Sequence, residues 1–158
     1  MTQPDPAKHV SILWALPEHA EDLASLHAPL FDAPWGAAAF RELLNNPGSI
    51  SFLARAGRPP ETIGLVIGRV AADEAEVLSL GVCRAWQRAG IGRRLMEAVC
   101  RAARKAEARK LYLEVAAGNS AAIGLYKELG FAEAGRRKGY YQRAGGPADD
   151  AINLAIAL

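Results

Sequence analysis

Three groups of residues in this 158-residue chain have types and spacings that could do chemistry. The first is Gln87-Arg88-Ala89-Gly90-Ile91-Gly92, followed by Arg93 and Arg94. Gly90 and Gly92 carry no Cβ, so a ligand can come close to the backbone. Ile91, Leu95, Val99 and Ala102 recur at helical spacing behind them, and Glu97 and Arg101 stand at i,i+4. The first amides of a helix lack intrahelical partners and lie at the positive end of its dipole. Arg88, Arg93 and Arg94 add charge, and the stretch reads as a cradle for an anion, most simply a pyrophosphate. The plain alternative is a tight turn whose glycines only permit an unusual dihedral. No Gly-Lys-Ser/Thr follows, which argues against a triphosphate loop, and no repeated strand–helix unit surrounds it, which argues against a dinucleotide fold.

The second and third groups are single residues. Glu114 has Leu113 and Val115 on either side in a strand-like run, so its carboxylate must be partnered or face a cavity. An exposed strand face or a salt bridge would satisfy it equally. Tyr126 lies twelve positions on, within the stripe Ala122, Leu125, Tyr126 and Leu129. It is either a core aromatic or an acid with a pKa near about 10.

The elements that must hold these residues follow from periodicity. Residues 1–9 are polar and proline-bearing and read as a loose tail, and residues 10–158 as a single domain. A short strand over 10–15 precedes a helix opened by Pro17 and faced by Leu23, Leu26 and Leu30. Pro34-Trp35-Gly36 interrupts it. Phe40, Leu43 and Leu44 mark a second helix, ended by Asn45-Asn46-Pro47-Gly48. Strands over 50–56 and 62–71 flank the Gly57-Arg58-Pro59-Pro60 turn, and a third over 76–82 leads into the cradle. After the central helix, Leu111, Leu113 and Val115 alternate against Tyr112, Glu114 and Ala116 as a strand over Lys110–Ala116. Asn119 suits an N-cap and Gly130 a helix C-terminus. A strand over 131–138, a loop over 143–148 and a last strand bearing Ile152, Leu154, Ile156 and Leu158 complete the chain. The order β-α-α-β-β-β-α-β-α-β-β predicts an α/β (α+β) fold, a mixed central sheet with helices on both faces.

Composition narrows the function classes. Hydrophobic residues at 51% and charged residues at 23% fit a globular domain with a full core. A net charge of +2 gives no mandate for nucleic acid. No apolar run is long enough to span a bilayer, and residues 1–9 show no signal-peptide pattern, so the expected location is the cytoplasm. Cys83 and Cys100 have no metal-ligand spacing and read as small hydrophobes in a reducing compartment; no metal is expected.

The cradle resembles the Gln/Arg-x-x-Gly-x-Gly/Ala motif of the GNAT acetyltransferases. Leu113-Glu114-Val115, Asn119, Ala122, Leu125-Tyr126 and Leu129-Gly130-Phe131 are similar to the second half of its RimI-type branch. Pro34-Trp35, Phe40, Tyr140-Tyr141 and Asp149-Asp150-Ala151 extend the likeness over most of the chain. It departs at Ala116 and Gly118, where the branch carries arginine and serine. The resemblance implies direct acetyl transfer from acetyl-coenzyme A to an amine. It implies two parallel strands splaying apart at Val82 and Val115, with the pantetheine arm between them. It makes Glu114 the general base and Tyr126 the general acid. Leu80 and Val82 would meet the pantetheine, residues Gln87, Arg88, Ala89, Gly90, Ile91, Gly92 and Arg93 the pyrophosphate, and Asn119 and Tyr126 the cofactor arm. Trp35, Glu114, Tyr140 and Tyr141 would form the acceptor groove. The branch acetylates the α-amino terminus of proteins, here by implication a small-subunit ribosomal protein beginning with alanine. A small-molecule amine, a lysine side chain, or a non-catalytic acetyl-coenzyme A-binding domain are the other readings. An α-amine with a pKa of about 8 is roughly one-tenth neutral at pH 7, whereas a lysine at about 10.4 is almost wholly charged.

Overall fold

The structure, a computed structural model, describes residues 9–142 and 145–158. The tail expected over 1–9 lies, His9 apart, outside the described residues, as do two positions of the expected 143–148 loop. In chain order the elements are β1 (Ser11–Trp14), α1 (Ala20–His27), α2 (Ala37–Asn45), β2 (Phe52–Ala56), β3 (Glu61–Ala71), β4 (Glu74–Val82), α3 (Ile91–Lys105), β5 (Lys110–Ala116), α4 (Ser120–Glu128), β6 (Ala132–Tyr141) and β7 (Asp149–Ala157). Short 3-10 turns at Pro17–His19 and Arg84–Trp86 lead into α1 and toward α3.

This is the expected order of strands and helices, in one seven-stranded sheet arranged β1-β2-β3-β4-β5-β7-β6. β1 to β4 form an antiparallel meander, β5 joins β4 in parallel, and β7 enters between β5 and β6. The chain thus ends inside the sheet. Ile152 and Leu154 are therefore buried, while β6 at the edge is largely exposed. The tyrosine pair belongs to β6, which runs past the expected residue 138 to Tyr141.

Helices cover both faces. Ile91, Leu95, Met96 and Val99 of α3, with Tyr126 of α4, pack on Val66, Val77, Leu111, Leu113 and Val115. Leu23 of α1 and Phe40 and Leu44 of α2 pack against Leu53, Leu65 and Ile67 on the other face. That second layer stops at β4, so among the described residues no helix covers the sheet beyond it on that side. Among the described residues no helix is long and apolar enough to cross a membrane.

Two irregularities shape the sheet where chemistry is expected. Ile67 pairs with Ser79 but Gly68 pairs with Val77, which leaves Leu78 as an extra residue on β4. The bulge reverses which alternate residues face which side. Ala75 and Val77 look toward α3 before it, and Leu80 and Val82 do so after it. The β4–β5 pairing ends at Val77 and Leu113, although β4 continues to Val82 and β5 to Ala116. A second bulge lies in β6, where Arg137 pairs with Ala151 and Tyr141 with Asp149, so three residues stand opposite one. Asp150 ties it down. Its carboxylate accepts from the Gly139 amide at 3.0 Å and from Arg136 at 3.1 Å, and these bonds hold its pKa below the ordinary value.

Phe40 of α2 is fully buried, in the cluster that α1 and α2 form with the sheet. Phe40→Ala should cost about 3–5 kcal/mol through lost burial and the cavity left behind, as measured by urea denaturation. A loss below about 1 kcal/mol would mean that the α1–α2 layer is not packed as described.

Candidate active site

The anion cradle is built by backbone. Gly90 takes φ +79° at the start of α3, and Arg88 two residues before it takes φ +66°. The first intrahelical bond runs from the Arg94 amide to the Gly90 carbonyl, so the amides of Ile91, Gly92 and Arg93 are left for another acceptor. A Cβ added at Gly90 would meet no atom within 4 Å, so the space beside Gly90 is open. A pyrophosphate fits such a mouth. The arginines contribute unequally. Arg93 is paired with Glu97 at 3.2 Å and Glu128 at 3.6 Å. Arg94 turns away from the mouth, its guanidinium donating to the Val10 carbonyl at 2.9 Å. The expected charge contribution of Arg94 is therefore corrected to a tie between α3 and the start of β1. Glu97, expected opposite Arg101, bonds Arg93 instead.

Gln87 donates its side-chain amide to the Val82 carbonyl at 3.0 Å, bracing the end of β4 against the loop. Leu80 and Val82 lie on the segment of β4 that has parted from β5, so one edge of their backbone has no strand beside it. Asn119 caps α4, its Oδ1 accepting from the Ala122 amide at 3.2 Å. The Gly118 amide just before it donates to Asp149 at 2.9 Å, which anchors the turn after β5 to β7.

Glu114 and Tyr126 lie on opposite faces of the sheet. Leu113 and Val115 are in the core under α3 and α4, so strand alternation turns Glu114 to the face free of helices. There it lines an open cavity of about 780 Å³ with Arg69, Glu76, Tyr112, Arg137 and Tyr141. Both its oxygens are engaged: Oε2 is ion-paired with Arg137, and Oε1 accepts from the Tyr141 hydroxyl at 3.3 Å. Burial first, and then the charge of Glu114, push the Tyr141 phenol up from its ordinary value. Tyr126 lies in the core on the helical face, edge-on to Phe131 at 5.8 Å. Burial pushes its phenol up to about 12.

The expected groove residues separate. Tyr141 lines the cavity; Tyr140 is half exposed and carries the Arg137 guanidinium over its ring at 4.0 Å. Trp35 does not line it. It packs in the α1–α2 layer, stacked on His27 at 5.0 Å and edge-on to Phe40. His27, to which the sequence assigned no role, is the centre of that layer. Its Nδ1 accepts from the Trp35 amide at 3.1 Å, so the neutral ring carries its proton on Nε2, which bonds Ser79 at 3.1 Å. Burial lowers its pKa and favours that neutral form. It joins α1 to the parted segment of β4. The signal for it was its place four residues after Leu23 on the buried stripe of α1. Arg137 was visible only as part of a basic run. Among the described residues no group of three or more His, Cys, Asp or Glu side chains is placed to hold a metal ion.

Residues 20–131 match the acetyltransferase (GNAT) family; the chain belongs to that family and is an acetyl-coenzyme A-dependent N-acetyltransferase. It is 38% identical over 135 residues to the N-alpha-acetyltransferase RimI of Mycobacterium tuberculosis, covering 82% of each chain. It is 34% identical over 125 residues to the [ribosomal protein bS18]-alanine N-acetyltransferase of Escherichia coli, covering 79% of this chain and 82% of that one. The crystal structure of the ribosomal-protein-S18-alanine N-acetyltransferase from E. coli superposes with a TM-score of 0.85 at 29% identity, over 94% of this chain and 93% of that chain. The mixed sheet with helices on both faces is thus the GNAT fold.

The raised pKa of Tyr126 has a signed consequence. The folded chain holds that proton more tightly than the unfolded one, whose phenol titrates at about 10. This stabilising contribution is complete below pH 10 and is lost as pH climbs toward about 12. In a phenolate-absorbance titration, Tyr126→Phe should remove a component near 12. Loss of a component near 10 instead would show that the phenol is open to water.

Proposed function

We propose that this chain transfers the acetyl group of acetyl-coenzyme A to the N-terminal α-amine of a protein, a small-subunit ribosomal protein beginning with alanine. The observation that supports this reading most is the Glu114 carboxylate facing an open cavity just past the point where the β4–β5 pairing ends, with the Tyr126 phenol in the core on the helical side. An acceptor can reach Glu114 from the open cavity while the helical side is reserved for the cofactor. The named activity of the bS18-alanine N-acetyltransferase, a relative at 34% identity, supports the choice of acceptor. A cytoplasmic location goes with it, and the reading calls for no direct nucleic-acid or membrane contact.

Acetyl-coenzyme A, when bound, supplies an acetyl group activated as a thioester. The residues from Gln87 to Arg93 hold its pyrophosphate, mainly through the free amides of α3. Leu80 and Val82 offer the backbone edge that β5 leaves, and Asn119 stands beside the arm while it caps α4. Glu114 takes a proton from the acceptor nitrogen as that nitrogen bonds to the acetyl carbon. Tyr126 holds a proton for the sulfur as the carbon–sulfur bond breaks. A phenol raised to about 12 stays protonated until then. Tyr140 and Tyr141 border the acceptor; Trp35 acts from behind, through the α1–α2 layer. Positioning two substrates supplies much of the rate, and each proton transfer on the order of 10²–10⁴-fold.

The test uses two peptide sets with acetyl-coenzyme A. One has a free alanine, serine or methionine terminus and no lysine; the other has a blocked terminus and an internal lysine. The reading predicts thiol release with the first set alone and acetyl on the terminal nitrogen by mass spectrometry. Turnover confined to the second set, or silence on both, would contradict it. Two substitutions probe the roles. Glu114→Gln should lower kcat/KM by about 10²–10⁴-fold, most below pH 8, where the acceptor amine is protonated. Its acetyl-coenzyme A KM should hold. Tyr126→Phe should lower kcat over a similar range at saturating acceptor. Near-wild-type rates in both would dismiss the assignment. Gly90→Asp should raise the acetyl-coenzyme A KM, because it strains a residue at φ +79° and sets a negative charge before the phosphates.

A further inference from the structure

The guanidinium of Arg137 sits on the Oε2 oxygen of Glu114, within the cavity through which an acceptor would arrive. The other oxygen is held by Tyr141. We propose that Arg137 is a built-in stand-in for the acceptor's α-ammonium, and that a charged amine must displace it from Oε2 before reaction. The inference rests on the reading above, in which Glu114 receives the acceptor nitrogen.

Three features fit a displaceable cation. The Arg137 side chain is 59% exposed and that of Glu114 is 30% exposed, so water weakens the pair and the guanidinium is free to swing. The Tyr140 ring lies beneath the guanidinium at 4.0 Å in the paired position, a contact that does not depend on the Glu114 carboxylate. The Tyr141 bond remains on Oε1, so the carboxylate keeps its orientation during the exchange. Charge balance points the same way. Two other carboxylates line the cavity: Glu76 is paired with Arg69 at 2.7 Å, and Glu74 stands at the start of β4 opposite Lys110, at the other end of the β4–β5 pairing from Glu114. Glu114 is the carboxylate just past the end of the β4–β5 pairing, and its partner Arg137 is the cation that an arriving ammonium would replace. A blocked terminus or a neutral amine has no charge to exchange for Arg137. The residue would therefore select for a charged terminus as well as keep the carboxylate paired at rest.

The experiment compares wild type, Arg137→Gln and Arg137→Lys with a peptide that has a free alanine terminus and no lysine. Peptide KM is measured at pH 7 and pH 9, and peptide Kd in the presence of non-acylating coenzyme A. Removing the competing cation from an exposed pair should lower peptide KM and Kd about two- to fivefold at pH 7. The gain should shrink at pH 9, above the amine pKa of about 8, because the neutral acceptor no longer competes for the carboxylate. The acetyl-coenzyme A KM should not move, and Arg137→Lys, which keeps a cation on the strand, should stay near wild type. A raised peptide KM in Arg137→Gln would overturn the proposal, as would a lower kcat at unchanged KM: either means that Arg137 merely holds Glu114 in place. A change equal at both pH values would overturn it too. Wild type that acetylates no free terminus would sink the underlying reading, and the two failures are told apart by that control.

Discussion

The structure depends on one constraint: β4 and β5 run parallel but cannot stay together. Their pairing stops at Val77 and Leu113, just where Leu78 is an extra residue against β3. A bulge bends a strand and increases its local twist. With β3 holding one side of β4 and β7 holding one side of β5, the bend parts the two inner edges. An unpaired backbone edge inside a sheet is costly unless something bonds to it. On the proposed reading, acetyl-coenzyme A is that partner. The loop that follows β4 leads directly to the open amides at the head of α3, so the strand end and the turn proposed to hold the phosphates are continuous, clamped by Gln87 on the Val82 carbonyl.

The two halves of the sheet then divide the labour. The meander with α1, α2 and α3 is a two-faced core. Past β4, α1 and α2 no longer cover their face, and Glu114, Arg137 and Tyr141 gather in the space they leave. Moving the last strand into the sheet makes this possible. β7 between β5 and β6 sets Arg137 across from Ala151, with Glu114 paired to Asn153 on the far edge of the same strand. The β6 bulge, secured by Asp150, brings Tyr141 over Glu114 while Tyr140 stays outside under Arg137. On the same face, within the α1–α2 layer, His27 acts at a distance from any chemistry. It ties Ser79 to the α1–α2 connection through an imidazole whose two nitrogens are both used.

Much of this was legible in the sequence, for physical reasons. Lys110–Ala116 alternates cleanly because one face is core and the other is cavity, and the strand has those bounds. Asn119 and Gly130 are local capping signals and do those jobs; Gly130 takes φ +101° after the last turn of α4. Gly90 of the cradle takes φ +79°, a backbone conformation that glycine adopts most readily. What was not legible is nonlocal. A bulge is a mismatch between two strands and leaves no trace in one. The Glu114–Arg137 pair spans 23 positions and requires knowing that β7 inserts between β5 and β6. Arg93 and Arg94 look alike in sequence. The helix turns one toward Glu97 and Glu128 and the other toward the end of β1. His27 reads as one more polar position until the helix is seen to bury it against Ser79.

The central claim is that acetyl-coenzyme A lies in the parting between β4 and β5, with its phosphates on the amides that open α3. Hydrogen–deuterium exchange with and without acetyl-coenzyme A tests it most directly. The account predicts slowed exchange at the amides of residues 78–82 and 90–93, with β1 and the outer edge of β6 unchanged. Protection confined to the open cavity around Glu114 and Tyr141, with residues 78–82 exchanging as fast as before, would contradict it.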